Sequence, residues 1–278
     1  MRSPQPRKQF AQHWLRSEKA LSKIVKSALL SPSDCLLEIG PGTGILTTQL
    51  LSVARSVVAV EIDRDLSQNL VKRFGNRDNF LLLEGDILTL DIEGQLQGFP
   101  NFQNPNKVVA NIPYNITGPI VEQLLGTISE PNPHPYQLIV LLVQKEVAQR
   151  ITANAGSKTF GALSVRVQYL ANCEYICDVP AKAFYPAPKV DSAVLRLCPR
   201  PITHPANNPQ YLETLLKLGF SSKRKMLRNN LQSVISRDQL TQLLEQLEIN
   251  PQVRAEDLSV EQWVNLTNLM EITDLVTD

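Results

Sequence analysis

Short, continuously apolar segments, each followed by a helix-like one, constrain the fold more than any other feature of this chain. "CLLEIG" (35–40) precedes "ILTTQLLSVA" (45–54), and "SVVAVEID" (56–63) precedes "RDLSQNLVKRF" (64–74). "NFLLLEGD" (79–86), "KVVAN" (107–111) and "YQLIVLLVQK" (136–145) continue the series. Strands without polar alternation are buried on both faces. In a chain that alternates them with helices, that predicts a parallel sheet between two helical layers. A further helix is predicted over 17–30, capped by Ser17. "SVRVQYLANCEYICDVP" (164–180) and "VDSAVLRLCP" (190–199) lie close together and are predicted to pair antiparallel at one sheet edge. After the proline-rich "PRPITHPANNP" (199–209) the pattern is helical only, with capping boxes in "SRDQ" (236–239) and "SVEQ" (259–262). Two domains are therefore expected, residues 1–200 and a small all-α domain over 201–278.

The first strand ends in "EIGPGTG" (38–44). Gly40, Gly42 and Gly44 allow a tight turn and a close ligand approach at a helix N-terminus. Glu61, about 20 residues on, ends the second strand where a carboxylate can accept from a ribose diol. The spacing is G-x-G-x-G rather than the dinucleotide G-x-G-x-x-G, and it follows an acid. That pattern points to S-adenosylmethionine. Asp86, at the end of the third strand, is placed to accept from the adenine amino group.

"NIPY" (111–114) ends the fourth strand, on the rim where open α/β sheets bind ligands. The exocyclic amine of adenine is a poor nucleophile because its lone pair is delocalised into the ring. Accepting both N–H protons favours a pyramidal, more nucleophilic nitrogen. The Asn111 side-chain oxygen and the Ile112 carbonyl can do so, with Pro113 fixing the turn. The face of Tyr114 offers a base a stacking surface worth about 1–3 kcal/mol, and its hydroxyl is expected to be incidental.

Composition excludes several alternatives. There is no run of about 18 apolar residues, so no membrane span is expected, and "MRSPQPRKQF" has no secretory h-region. Four cysteines do not make a disulfide framework in 278 residues, and three scattered histidines give no metal site. A reducing cytoplasm is the expected compartment. The formal net charge is +1, yet "KLGFSSKRKMLR" (217–228) carries only basic charges. An isolated run of this kind is usually a solvated helix face. Beside a site that reads a base it becomes a phosphate grip.

These motifs together resemble the ribosomal RNA adenine N6,N6-dimethyltransferases of the bacterial type. The resemblance runs from "RKQFAQHWL" (7–15) through "EIGPGTGILT", "VEID", "GDIL", "NIPYNI", "VQKEVAQRI" and "FYPAPKVDSAV" (184–194) to "KRKMLRNNL" (223–231). It implies a Rossmann-like methyltransferase fold with a mostly parallel seven-stranded sheet. It implies S-adenosylmethionine as cofactor, held by His13, Leu15, Gly40, Gly42, Gly44, Glu61, Ile62, Asp86, Ile87 and Asn111. Asn111, Ile112, Pro113, Tyr114 and Phe184 would be catalytic, with Tyr114 and Phe184 flanking the base. Arg7, Lys8, Lys223, Arg224, Lys225 and Arg228 would bind RNA. His13 stands where the family usually has asparagine. The implied partner is small-subunit rRNA in the pre-30S particle, bound by a monomer that methylates two adjacent adenosines of the 3′-terminal hairpin. Two rivals are a large-subunit rRNA methyltransferase of the antibiotic-resistance type and a non-catalytic assembly or transcription factor on the same fold.

Overall fold

The computed structural model describes residues 5–7, 10 and 12–277, with side chains as far as Ile272. The chain forms two compact units. The first comprises residues 1–125, 133–148 and 173–199, and the second 126–132, 149–172 and 200–278. Among the described residues no helix is long and apolar enough to cross a membrane.

The first unit begins with a two-residue strand β1 (Trp14–Leu15) and helix α1 (Glu18–Ser27), whose cap Ser17 accepts from the Ala20 N–H at 3.3 Å. Then follow β2 (Cys35–Ile39), α2 (Ile45–Leu50), β3 (Ser56–Glu61), α3 (Arg64–Phe74), β4 (Phe80–Glu84), α4 (Ile92–Leu96), β5 (Lys107–Asn111) and α5 (Thr117–Leu125). Strand β6 (Leu138–Gln144) runs directly into α6 (Lys145–Ile151). Helix α7 (Ala162–Leu170) precedes β7 (Ala171–Val179), β8 (Phe184–Tyr185) and β9 (Ser192–Pro199).

The main sheet has seven strands in the order β4-β3-β2-β5-β6-β9-β7. Strands β4, β3, β2, β5 and β6 pair in parallel, and β9 pairs antiparallel to β6. Their apolar runs are buried, as continuous hydrophobicity requires: every residue of β2 and β3 is buried. The two predicted edge strands lie side by side as β9 and β7, with β9 antiparallel to β6, and one correction applies. Residues 164–170 are helical, in α7, and only 171–179 form the strand. Their apolar positions served a buried helix, and periodicity alone does not separate that from a buried strand.

The order reverses between β3 and β5 on either side of β2, which opens a crevice beyond the carboxyl ends of β2 and β5. At the opposite end of these strands a buried polar clamp fixes their register. Asp34 Oδ2 accepts from Lys107 Nζ at 2.9 Å, and Asp34 Oδ1 accepts from Asn106 Nδ2 at 2.8 Å. Asn106 Oδ1 accepts from the Cys35 N–H at 2.8 Å, and Lys107 Nζ also donates to the Leu29 carbonyl at 2.6 Å. Burial alone would raise the Asp34 carboxyl, but the bonds from Lys107 and Asn106 outweigh it and hold the group below its usual range.

The second unit contains α7, α8 (Pro209–Gly219), α9 (Leu227–Asn230), α10 (Arg237–Gln246) and α11 (Val260–Thr277). Residues 200–208 have neither helix nor strand, as the prolines require. Both predicted capping boxes form: Ser236 Oγ accepts from Gln239 N–H and Ser259 Oγ from Gln262 N–H, each at 3.2 Å. The core centres on the fully buried Trp263, whose ring lies 5.6 Å from that of Phe220.

Removing Lys107 would strand the Asp34 carboxylate in the interior. Lys107→Ala is expected to lower unfolding stability by about 3–5 kcal/mol, read as a shift of the urea midpoint at unchanged slope.

Candidate active site

The carboxyl ends of β2 to β5 and the segment before β1 enclose a cavity of about 320 Å³. The sequence between β2 and α2 forms its floor. Gly40 and Gly42 have φ of +66° and +58°, values that side chains rarely adopt. A Cβ on Gly42 would lie 3.4 Å from Trp14 Cδ1, and one on Gly40 would lie 3.7 Å from the Asn111 carbonyl oxygen. Gly44 (φ +77°) does not line this cavity; a Cβ there would come within 2.6 Å of the Phe74 ring. Its bareness lets α2 approach α3.

Glu61 ends β3 and is 4% exposed. Its Oε2 accepts from the Gly42 N–H and its Oε1 from the Asp63 N–H, both at 3.0 Å. Burial raises this carboxyl, and the backbone donors of Asp63 and Gly42 pull against that rise. Asp86 lines the cavity one strand over, where its Oδ1 accepts from the Leu88 N–H at 3.0 Å. Ile62 and Ile87 stand beside the two acids on the same wall.

Asn111, Ile112, Pro113 and Tyr114 form the opposite wall. Asn111 Nδ2 donates to the main-chain carbonyl of His13 at 3.2 Å. A carbonyl only accepts, so this bond fixes which end of the amide is which and leaves Oδ1 as the acceptor. The Tyr114 hydroxyl is 2.5 Å from Ser192 Oγ, and its ring lies 5.7 Å from the His13 ring at an interplanar angle of 17°. Burial raises the Tyr114 phenol while the bond to Ser192 lowers it, with a net rise. The hydroxyl expected to be incidental is thus an anchor for the ring.

The segment carrying His13 is fastened at several points. Strands β1 and β8 pair antiparallel, Trp14 opposite Tyr185 and Leu15 opposite Phe184. Gln12 Nε2 donates to Asp63 Oδ2 at 3.0 Å, and the Arg7 guanidinium bridges Asp63 and Asp65. Arg7, expected to grip RNA, is here paired with two carboxylates, and Lys8 lies outside the described residues. Leu15 and Phe184, each 4% exposed, pack in the core rather than lining the larger cavity. Alternation along β8 turns Phe184 inward. Its neighbour Tyr185 is 42% exposed, with the Arg16 guanidinium 4.1 Å above its ring.

The remaining expected residues belong to the second unit. Lys223, Arg224 and Lys225 are exposed on the turn between α8 and α9, and Arg228, on α9, is half-buried. The central three cations thus lie on a turn, with Lys217 on α8 and Arg228 on α9 flanking it. Asn230 Nδ2 holds it by donating to the Gly219 and Ser222 carbonyls.

Sequence reasoning missed Trp14 and Ser192. Nothing marks a lone tryptophan before a strand as a cavity residue, and no local pattern reveals that β9 begins opposite Tyr114. A second cavity of about 30 Å³, behind the glycine turn, is lined by Trp14, Leu15, Glu38 and Asn111 among others. Trp14 Nε1 and Glu38 Oε2 have no hydrogen-bond partner among the described residues. Burial, with the Glu61 charge adding to it, pushes Glu38 up to about 8.

The family model of the ribosomal RNA adenine dimethylases matches residues 4–271. The chain belongs to that family. This dimethylase is 69% identical over 273 residues to the ribosomal RNA small subunit methyltransferase A of Nostoc punctiforme, covering 96% of each chain. Among solved structures it is similar to a dimethyladenosine transferase from Plasmodium falciparum, with TM-score 0.77 and 27% identity over 94% of this chain and 98% of that one. It is also similar to the 23S rRNA methyltransferase ErmE, with TM-score 0.70 and 27% identity over 93% and 99% of the two chains. The dimethylase is an enzyme that transfers methyl groups from S-adenosylmethionine to adenines of ribosomal RNA. The site fits that donor: an ionisable Glu61 at the β3 end, Asp86 beside it, and a glycine turn no Cβ encumbers.

Glu38 yields a pH prediction. Its pKa is about 8 folded against an ordinary 4.5. Its neutral form therefore supports the fold fully below the ordinary value, and that support is lost as pH rises through about 8. Glu38→Gln is expected to flatten the fall in Tm across this window, read by calorimetry at a series of pH values.

Proposed function

We propose that the dimethylase converts two adjacent adenosines in the 3′-terminal hairpin of small-subunit rRNA to N6,N6-dimethyladenosine. It acts as a monomer, in the cytoplasm, on the pre-30S particle. The orientation of Asn111 carries this reading. Its Oδ1 accepts one N6–H of adenine, and the Ile112 carbonyl, aimed by Pro113, accepts the other. Both acceptors make the nitrogen lone pair more available. Bound S-adenosylmethionine supplies the electrophilic methyl group. Glu61 holds its ribose hydroxyls and Asp86 its adenine amine, while Gly40 and Gly42 let it lie against the backbone. The methylated ammonium is acidic enough to lose its proton to water, so no catalytic base is needed.

Tyr114 stacks the target base after it leaves the helix. Phe184, in the core, supports β8 and through it the segment before β1. The exposed Lys223, Arg224 and Lys225 grip phosphate. A non-catalytic factor would have no use for an amide turned to accept from an amine. The small-subunit target is supported over the large-subunit one by the likeness to the Nostoc punctiforme protein, far above the identity to ErmE.

Mass spectrometry of nuclease-digested rRNA, separated by subunit after incubation with labelled donor, tests the reading directly. Dimethyladenosine confined to the large subunit would overturn it. Asn111→Ala is expected to lower turnover about 10²–10³-fold, and near-normal turnover would reject its role. Replacing Lys223, Arg224 and Lys225 together by alanine should flatten the salt dependence of RNA binding while sparing donor affinity. An unchanged slope would make that turn a merely solvated one.

A further inference from the structure

We propose that His13 is a positioning residue for the target base: its imidazole braces Tyr114 from one side, so that the phenol presents a fixed face to adenine. The inference rests on the stacking role proposed above for Tyr114. The two rings are 5.7 Å apart and nearly parallel, an offset stack. His13 Nδ1 lies 2.7 Å from the Pro186 carbonyl oxygen. That oxygen only accepts, so Nδ1 carries a proton in either charge state of the ring, and the bond holds the ring plane. At the far end of the pair, Ser192 Oγ holds the Tyr114 hydroxyl at 2.5 Å. The stack is therefore tethered at both ends to the 186–192 segment, and the His13 main chain is held to Asn111.

The same bonds leave room for His13 to brace Tyr114 and still border the methyl donor. Its carbonyl is engaged by Asn111 and its Nδ1 by Pro186. The ring lines the cavity, and its Nε2 is not engaged by either bond. A braced platform matters most at the second methylation, when the amine has one N–H left and a single acceptor can hold it. Loss of the brace should then allow the once-methylated base to leave.

The test uses the full chain with His13→Ala, His13→Phe and His13→Asn, and Tyr114→Ala as reference. Unmodified small ribosomal subunits serve as substrate, and calorimetry with S-adenosylhomocysteine reports donor-site integrity and folding. His13→Ala is expected to raise KM for subunits about 3- to 10-fold and to accumulate monomethyladenosine, with a much smaller loss of S-adenosylhomocysteine affinity. His13→Phe keeps a ring and should restore most of both properties; His13→Asn keeps a polar group without a ring and should not. Recovery by asparagine but not phenylalanine would overturn the proposal in favour of the Pro186 bond alone. So would a His13→Ala enzyme that loses product affinity at unchanged subunit KM, or one that behaves as wild type in all readouts. If Tyr114→Ala itself methylates normally, the stacking role falls, whatever the His13 variants do.

Discussion

Everything at the site depends on the pairing of β2 with β5. That pairing brings the glycine turn against the N-I-P-Y turn, and Gly40 follows the strand with a φ of +66° that side chains rarely adopt. The pairing is held at the far end by Asp34, Asn106 and Lys107. A shift of one residue there would turn Asn111 to the other face of the sheet. A buried ion pair is a weak source of net stability, but breaking it is costly, and that asymmetry suits a group whose task is alignment.

The two walls proposed for donor and base meet at the segment ahead of β1. Its attachments run to the start of α3 through Asp63, to β5 through Asn111, and to β8 and Pro186. The main-chain oxygen of a single residue sets the polarity of the Asn111 amide, so its free acceptor does not depend on a neighbouring side chain. The side chain at that position is thereby left to act elsewhere, on Tyr114.

Much of this was legible in the sequence because the relevant interactions are local. A glycine that must adopt positive φ, an acid at a strand end and a capping serine are each recognisable within a few residues. The continuous apolar runs likewise fixed β2 to β6 and their parallel arrangement. What was not legible depends on tertiary register. Residues 164–170 have strand-like composition but are wrapped into α7. Gly44 belongs to the motif but serves the packing of Phe74. Phe184 follows the alternation of β8 into the core, and Ser192 reaches Tyr114 only because β9 inserts antiparallel beside β6.

That insertion has a consequence for how the enzyme comes into being. The residues that line the larger cavity all lie before residue 117, and their strands are consecutive neighbours around β2. The anchors of the Tyr114 and His13 rings, Ser192 and Pro186, come some seventy residues later in the chain. During synthesis from the N-terminus, the cavity walls can therefore assemble well before the anchors of the two rings, and with them the proposed donor site before the proposed base site. On the ribosome, a nascent chain would acquire the cavity first and a fixed Tyr114 ring only once β9 has emerged and docked.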